Sequence, residues 1–182
     1  MLFRSLCEAR PGHLAFRATT DDVSFDRLTL RMSSHAGERI WGAGEQFPHH
    51  RLDLKGRVIP VLAQEGGVGR GHLPITPVVD AASPGSGGHE GATYYAAPHL
   101  VTSELRSVFL EDTAYAELDL RAADVTALRL WAPSMTGRIL AGRDPLELIE
   151  RFTEYAGRMP APPAWLDRSE ERRVGKEGRS RW

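Results

Sequence analysis

Glu65 and Arg70 are the pair whose residue types, spacing and setting could do chemistry in this sequence. They bracket Gly66-Gly67-Val68-Gly69, and Gly71 follows directly. Glycine lets a backbone take left-handed angles and approach a ligand or another strand closely. A carboxylate entering such a turn could hold a sugar hydroxyl through a charge-assisted hydrogen bond. The same two residues could equally form an ordinary surface ion pair of small energetic consequence. Both readings stand on the residues alone.

Other candidate chemistries fail on spacing. Gly67-Val68-Gly69-Arg70-Gly71-His72 lacks the last glycine of a dinucleotide fingerprint, and no helix pattern follows it. Gly175-Lys176 is followed by Glu177 rather than Ser or Thr, so there is no phosphate-binding loop. His49 and His50 are adjacent and would point to opposite faces of a strand, and no HExxH helix exists. His89-Glu90 has Thr93 where a second histidine ligand would be needed, so no metal is expected. Ser86 lacks the glycine two residues earlier that a nucleophile elbow requires.

The elements that must position the Glu65 loop read as strands. Residues 12–19 and 25–32 alternate with period two, Leu28, Leu30 and Met32 falling on one face and Arg27, Thr29 and Arg31 on the other. The stretch 41–71 reads as strands joined by shaped loops, with 58–62 a short apolar run within it, and 73–79 follows among the strand candidates. Further candidates are 93–101, 105–110, 113–120 and 126–132. Short strands with Gly, Pro and Asp punctuation predict a mainly β protein, a sandwich or barrel. Pro60, Pro74, Pro77 and Pro98 should sit at edges or bulges, because proline cannot donate to a ladder.

One helix is well signed. Asp144 is its N-cap, Pro145 its first residue, and Glu147 completes a capping-box pattern. Leu148, Ile149, Phe152 and Ala156 make an apolar stripe, Gly157 suits the C′ position, and Pro160 blocks continuation. The proline-rich segment 159–165 reads as a stiff connector. These signals divide the chain into a β domain over 1–143, a helix and connector over 144–167, and a tail over 168–182.

The 182 residues give room for one ordinary domain with a real core. A net charge of -1 argues against a general nucleic-acid or membrane-surface binder. The tail 168–182 nonetheless holds six Lys and Arg against three acidic residues, leaving 17 against 21 elsewhere. It reads as a disordered basic segment or as translated adapter sequence. The single cysteine, Cys7, excludes an internal disulfide and suits a reducing compartment. No apolar run is long enough to span a membrane. Arg4, Glu8 and Arg10 interrupt the region where an export signal would have its apolar core, so a cytoplasmic location is expected.

The order WGAGEQF (41–47), DLKGR (53–57) and QEGGVGRG (64–71) resembles the amino-terminal domain of glycoside hydrolase family 31, and more narrowly its bacterial sulfoquinovosidase branch. Residues 87–103 and 144–165 resemble later segments of the same domain, so the likeness covers roughly 12–166. The resemblance implies a galactose-mutarotase-like β-sandwich whose C-terminal helix leads into a (β/α)8 barrel. It implies cofactor-free hydrolysis of α-glycosides with retention by two barrel aspartates, so no catalytic residue is expected in this chain. Partners would be an α-glycoside substrate and the catalytic barrel of the same parent chain, with no nucleic acid and no membrane. Glu65 would face substrate hydroxyls, while Arg70 would brace the loop. Two departures stand out. After Trp165-Leu166-Asp167 the tail replaces the first barrel strand, which implies a truncated, inactive chain, and Gly66 replaces a glutamine common in the branch. The alternative is a stand-alone sugar-binding sandwich gripping its ligand with Trp41, Tyr94, Tyr95 or Trp131.

Overall fold

The computed structural model describes residues 3–45, 52–64 and 66–163. Its strands are β1 (Phe3–Arg10), β2 (His13–Thr20), β3 (Leu28–Ser33), β4 (Ile40–Gly44) and β5 (Val58–Val61). Helix α1 (Ile75–Ala82) follows, then β6 (Ala96–Thr102), β7 (Arg106–Leu110), β8 (Ala116–Asp119), β9 (Val125–Leu130), β10 (Ser134–Ala141) and helix α2 (Pro145–Ala156). They form a six-stranded sheet in the order β1-β2-β10-β7-β6-β4 and a four-stranded sheet in the order β3-β9-β8-β5. All strand pairs in both sheets are antiparallel.

The alternation read in β3 is the alternation observed. Leu28, Leu30 and Met32 pack against the core while Thr29, Arg31 and Ser33 are exposed. Ile40, Leu100, Val108 and Leu110 of the larger sheet meet Ile59, Leu118, Leu128 and Leu130 of the smaller one, all buried in one cluster. This is the two-layer solution for sheets that each own one apolar face. Pro60 lies on β5, an edge strand, and Pro98 lies where the β4–β6 register shifts between Gly42 and Gly44.

The stretch 73–79 is a correction. It forms the start of α1, with Pro74 in the N-cap position and Pro77 in the first turn. Its β-branched residues favour a strand locally. Proline is tolerated in a first helical turn, however, because the N–H it lacks has no intrahelical partner there. Thr76 and Asp80, one helical turn apart, fasten the helix to neighbouring loops. Strands β1 and β10 and the N-terminal part of β4 lie outside the segments the sequence singled out as strands.

Helix α2 follows its sequence signals closely. The Glu147 N–H donates to Asp144 Oδ1 at 2.9 Å, the N-cap bond. The reciprocal bond shifts by one residue, since Glu147 Oε2 accepts the Arg143 N–H at 2.7 Å. Leu148 is buried, whereas Ile149 of the expected stripe is exposed. Gly157, at φ +87°, ends the helix with its N–H on the Thr153 carbonyl at 2.9 Å. The described residues up to 151 form one compact unit, and those from 152 onward belong to a second. Among the described residues no helix is long and apolar enough to cross a membrane.

Candidate functional site

Glu65 and His49-His50 lie outside the described residues, as does the tail 168–182. The structure does define the frame around Glu65 on both sides. Before it, Ala63 forms a parallel bridge with Thr93, and the Gln64 N–H donates to the Thr93 carbonyl at 2.7 Å. The Gln64 side chain is fixed as well. The Gly91 N–H donates to His89 Nδ1 at 3.1 Å, which leaves Nε2 as the protonated nitrogen that donates to Gln64 Oε1 at 2.6 Å. His89 therefore positions a neighbour of Glu65.

After Glu65 the loop is pressed against a second glycine turn. The Val68 N–H donates to the Ser86 carbonyl at 2.8 Å and the Arg70 N–H to the Gly87 carbonyl at 2.9 Å. Gly67 and Gly88, each at φ +67°, cross so closely that a Cβ on Gly88 would fall 2.4 Å from the Gly66 carbonyl oxygen. No other residue type fits that crossing without moving backbone. Gly66 is buried, and a Cβ there would stand 2.5 Å from an Arg70 guanidinium nitrogen. The guanidinium thus lies over Gly66.

Helix α1 supports this pair of turns from behind. Thr76 Oγ1 accepts the Gly71 N–H at 2.8 Å and Asp80 Oδ1 accepts the Gly87 N–H at 2.7 Å. On the other flank, Thr93 Oγ1 donates to the Glu45 carbonyl at 2.6 Å, and the Glu45 N–H donates to the Tyr95 carbonyl at 2.8 Å. Arg57 pairs with Glu90 and ties β5 to the 85–91 turn. The DLKGR stretch is architectural. Asp53 Oδ1 accepts the Ile40 and Lys55 N–H groups at 3.0 Å each, and Leu54 is buried in the core.

The supporting residues Gln64, Thr76, Asp80, His89 and Thr93 are those that sequence reasoning did not assign. Their spacing carries no motif, since the fold brings them together from three separate segments. Tyr94 and Tyr95 are exposed beside the loop. Trp131 is engaged by Tyr115, with ring centroids 4.9 Å apart, and by the Arg27 guanidinium at 5.1 Å. Among the described residues no group of His, Cys, Asp or Glu is arranged to hold a metal.

Two depressions lie away from the loop. One, of about 470 Å³, is on the outer face of the four-stranded sheet and includes Arg31, Asp119, Arg121 and Arg129. Hydrogen bonds from Arg121 and Arg129 hold the Asp119 carboxyl well below the usual carboxylate range. The other, of about 240 Å³, is apolar and lies among β1, β2 and β3. Neither borders residues 64–71.

No protein-family profile matches the chain. A sulfoquinovosidase of Agrobacterium fabrum is 30% identical over 152 residues, which is 84% of this chain and 23% of that protein. The sulfoquinovosidase of Escherichia coli K12 is 27% identical over 155 residues, again 23% of its length. A GH31 family sulfoquinovosidase from E. rectale, solved with an aza-sugar inhibitor, superposes with a TM-score of 0.80 at 29% identity, covering 87% of this chain and 24% of its own. The chain therefore spans about a quarter of the length of the relatives it matches. In sequence and in fold together, the chain matches the amino-terminal β-sandwich domain of glycoside hydrolase family 31, on the side of the family occupied by the sulfoquinovosidases.

Proposed function

We propose that this chain is the β-sandwich domain of a retaining α-glycosidase of the sulfoquinovosidase kind, and that its 64–71 loop shapes the substrate pocket. The domain would comprise 1–143, with 144–167 leading to a (β/α)8 barrel and 168–182 a separate tail. The barrel would supply two carboxyl groups about 5–5.5 Å apart, the spacing of retaining hydrolysis. The chain alone would turn over no α-glycoside, and the parent enzyme would need no cofactor and work in the cytoplasm.

The observation that carries this reading is that the described residues on both sides of Glu65 are held in place. Gln64 is fixed by Thr93 and His89, while Arg70 is fixed by Gly87 and covers Gly66. Fixed neighbours would lower the entropic cost of positioning a carboxylate between them, as a substrate-positioning group requires. Glu65 would accept a hydrogen bond from a sugar hydroxyl, and Arg70 would hold the loop in shape.

The test is Glu65→Gln in the enzyme that carries this domain with its barrel, assayed on an α-sulfoquinovoside. Gln still accepts a hydrogen bond but without the charge, which costs about 1–1.5 kcal/mol, so kcat/KM should fall roughly 5- to 13-fold. Unchanged kinetics would refute the assignment.

A further inference from the structure

Helix α1 is built inside out. Thr76 and Asp80, its polar residues, face the protein and accept the Gly71 and Gly87 N–H groups at 2.8 and 2.7 Å. Of its apolar residues, Ile75 and Val78 are 48% and 66% exposed while Val79 is half-buried, and no residue of the helix is fully buried. The loops at either side continue the pattern, with Val68 58% and Leu73 78% exposed. Ile75 adjoins the Val68 loop directly, its Cγ2 lying 2.9 Å from where a Cβ on Gly69 would stand. A surface helix of a self-sufficient domain turns its apolar stripe to the core. An eight-residue helix gains little from its own backbone, so its apolar side ordinarily needs a packing partner.

We propose that Val68, Leu73, Ile75 and Val78 form the face on which the catalytic domain of the parent polypeptide docks. This rests on the function proposed above. Three observations choose that occupant. The chain spans 23% of the length of the curated relatives it matches, so such a polypeptide has three quarters of its length with which to cover the face. The face is continuous with the loop at 66–71, so whatever covers it also adjoins that loop. Residues 73–79 contain no charged side chain, which suits a packed interdomain contact and lacks the basic residues that binding to an anionic lipid surface uses. The helix then serves as a two-sided spacer: its polar side fixes the glycine turns, and its apolar side fixes their distance from the catalytic domain.

Amide hydrogen exchange over 73–82 tests this in the 182-residue chain and in the parent enzyme. At least tenfold slower exchange in the enzyme is expected. Val78→Asp should leave the melting temperature of the chain within a degree, yet speed exchange at 73–82 and lower kcat/KM at least fivefold in the enzyme. Equal exchange in both proteins would overturn the proposal, as would a Val78→Asp chain that melts several degrees lower. Protection that rises with chain concentration, alongside a dimer in sedimentation, would overturn it in favour of a second copy. Glu65→Gln separates the two readings. If it loses activity while exchange at 73–82 is equal, the pocket assignment survives and only the docking face fails. If Val78→Asp uncouples the enzyme while Glu65→Gln is silent, the docking face survives and the role of Glu65 fails.

Discussion

Replacing Glu38 by alanine should be among the most damaging single changes to the sandwich. The Glu38 side chain is fully buried and accepts from Arg106 Nη2 at 2.8 and 2.9 Å and from Arg106 Nε at 3.1 Å. Ser34 Oγ donates to it too, and Arg106 Nη2 also reaches the Ser33 carbonyl at 2.6 Å. This knot joins the β3–β4 turn to β7, and hence one sheet to the other. Removing one partner of a buried pair costs about 3–5 kcal/mol. The Arg106 side chain is 29% exposed, so water recovers part of that, and a loss of about 2–3 kcal/mol is expected. For a chain of this size that is a drop of roughly 5–10 °C in melting temperature. Urea unfolding of Glu38→Ala, Arg106→Met and the double variant measures it. The double variant should lose less than the sum of the two by about 1–2 kcal/mol, because it leaves no uncompensated charge. There is a pH signature as well. Burial raises the Glu38 pKa, but the hydrogen bonds from Ser34, Arg106 and Thr102 outweigh it, so the folded value lies below the ordinary 4.5. The stabilisation is therefore complete above pH 4.5 and is lost as pH falls through the lowered value. A loss below about 1 kcal/mol, or strict additivity in the cycle, would refute this account of the pair.

Two further changes probe other parts of the molecule. Gly88→Ala places a methyl 2.4 Å from the Gly66 carbonyl at φ +67°, so the 64–70 amides should exchange faster at a cost of about 1–3 kcal/mol. In the parent enzyme kcat/KM on an α-glycoside should fall with it; unchanged exchange and activity would show that the glycine crossing does not set the loop. Burial pushes the His99 pKa from 6.5 down to about 4, with Nε2 2.7 Å from Ser107 Oγ and the ring edge-on to Phe109. The unfolded chain takes up that proton first, so stability is full above pH 6.5 and declines by about 3 kcal/mol toward pH 4. Urea midpoints across that range should flatten in His99→Gln, and an unaltered slope would assign the acid sensitivity elsewhere.

Local patterns in the sequence determined most of the strands and the whole of α2. Leu28, Leu30 and Met32 alternate, and a half-buried strand must alternate because successive side chains leave opposite faces. Asp144, Pro145 and Gly157 each satisfy a helix end through their own chemistry, so they are legible without neighbours. The QEGGVGRG run marked a tightly turned loop, since glycines at that density serve left-handed angles and close approach. Tertiary structure alone decided the rest. The fully exposed β1 owes its place to backbone pairing with β2, which leaves no burial pattern to read. Residues 73–79 have strand composition and become helix, with Thr76 and Asp80 accepting N–H groups from the turns just before and just after the helix. The contacts that hold the described residues on either side of Glu65 come from positions 64, 70, 87, 89 and 93, and no spacing rule connects them until the chain folds. Long-range contacts of that kind are specified by the fit of surfaces, which a linear pattern does not contain.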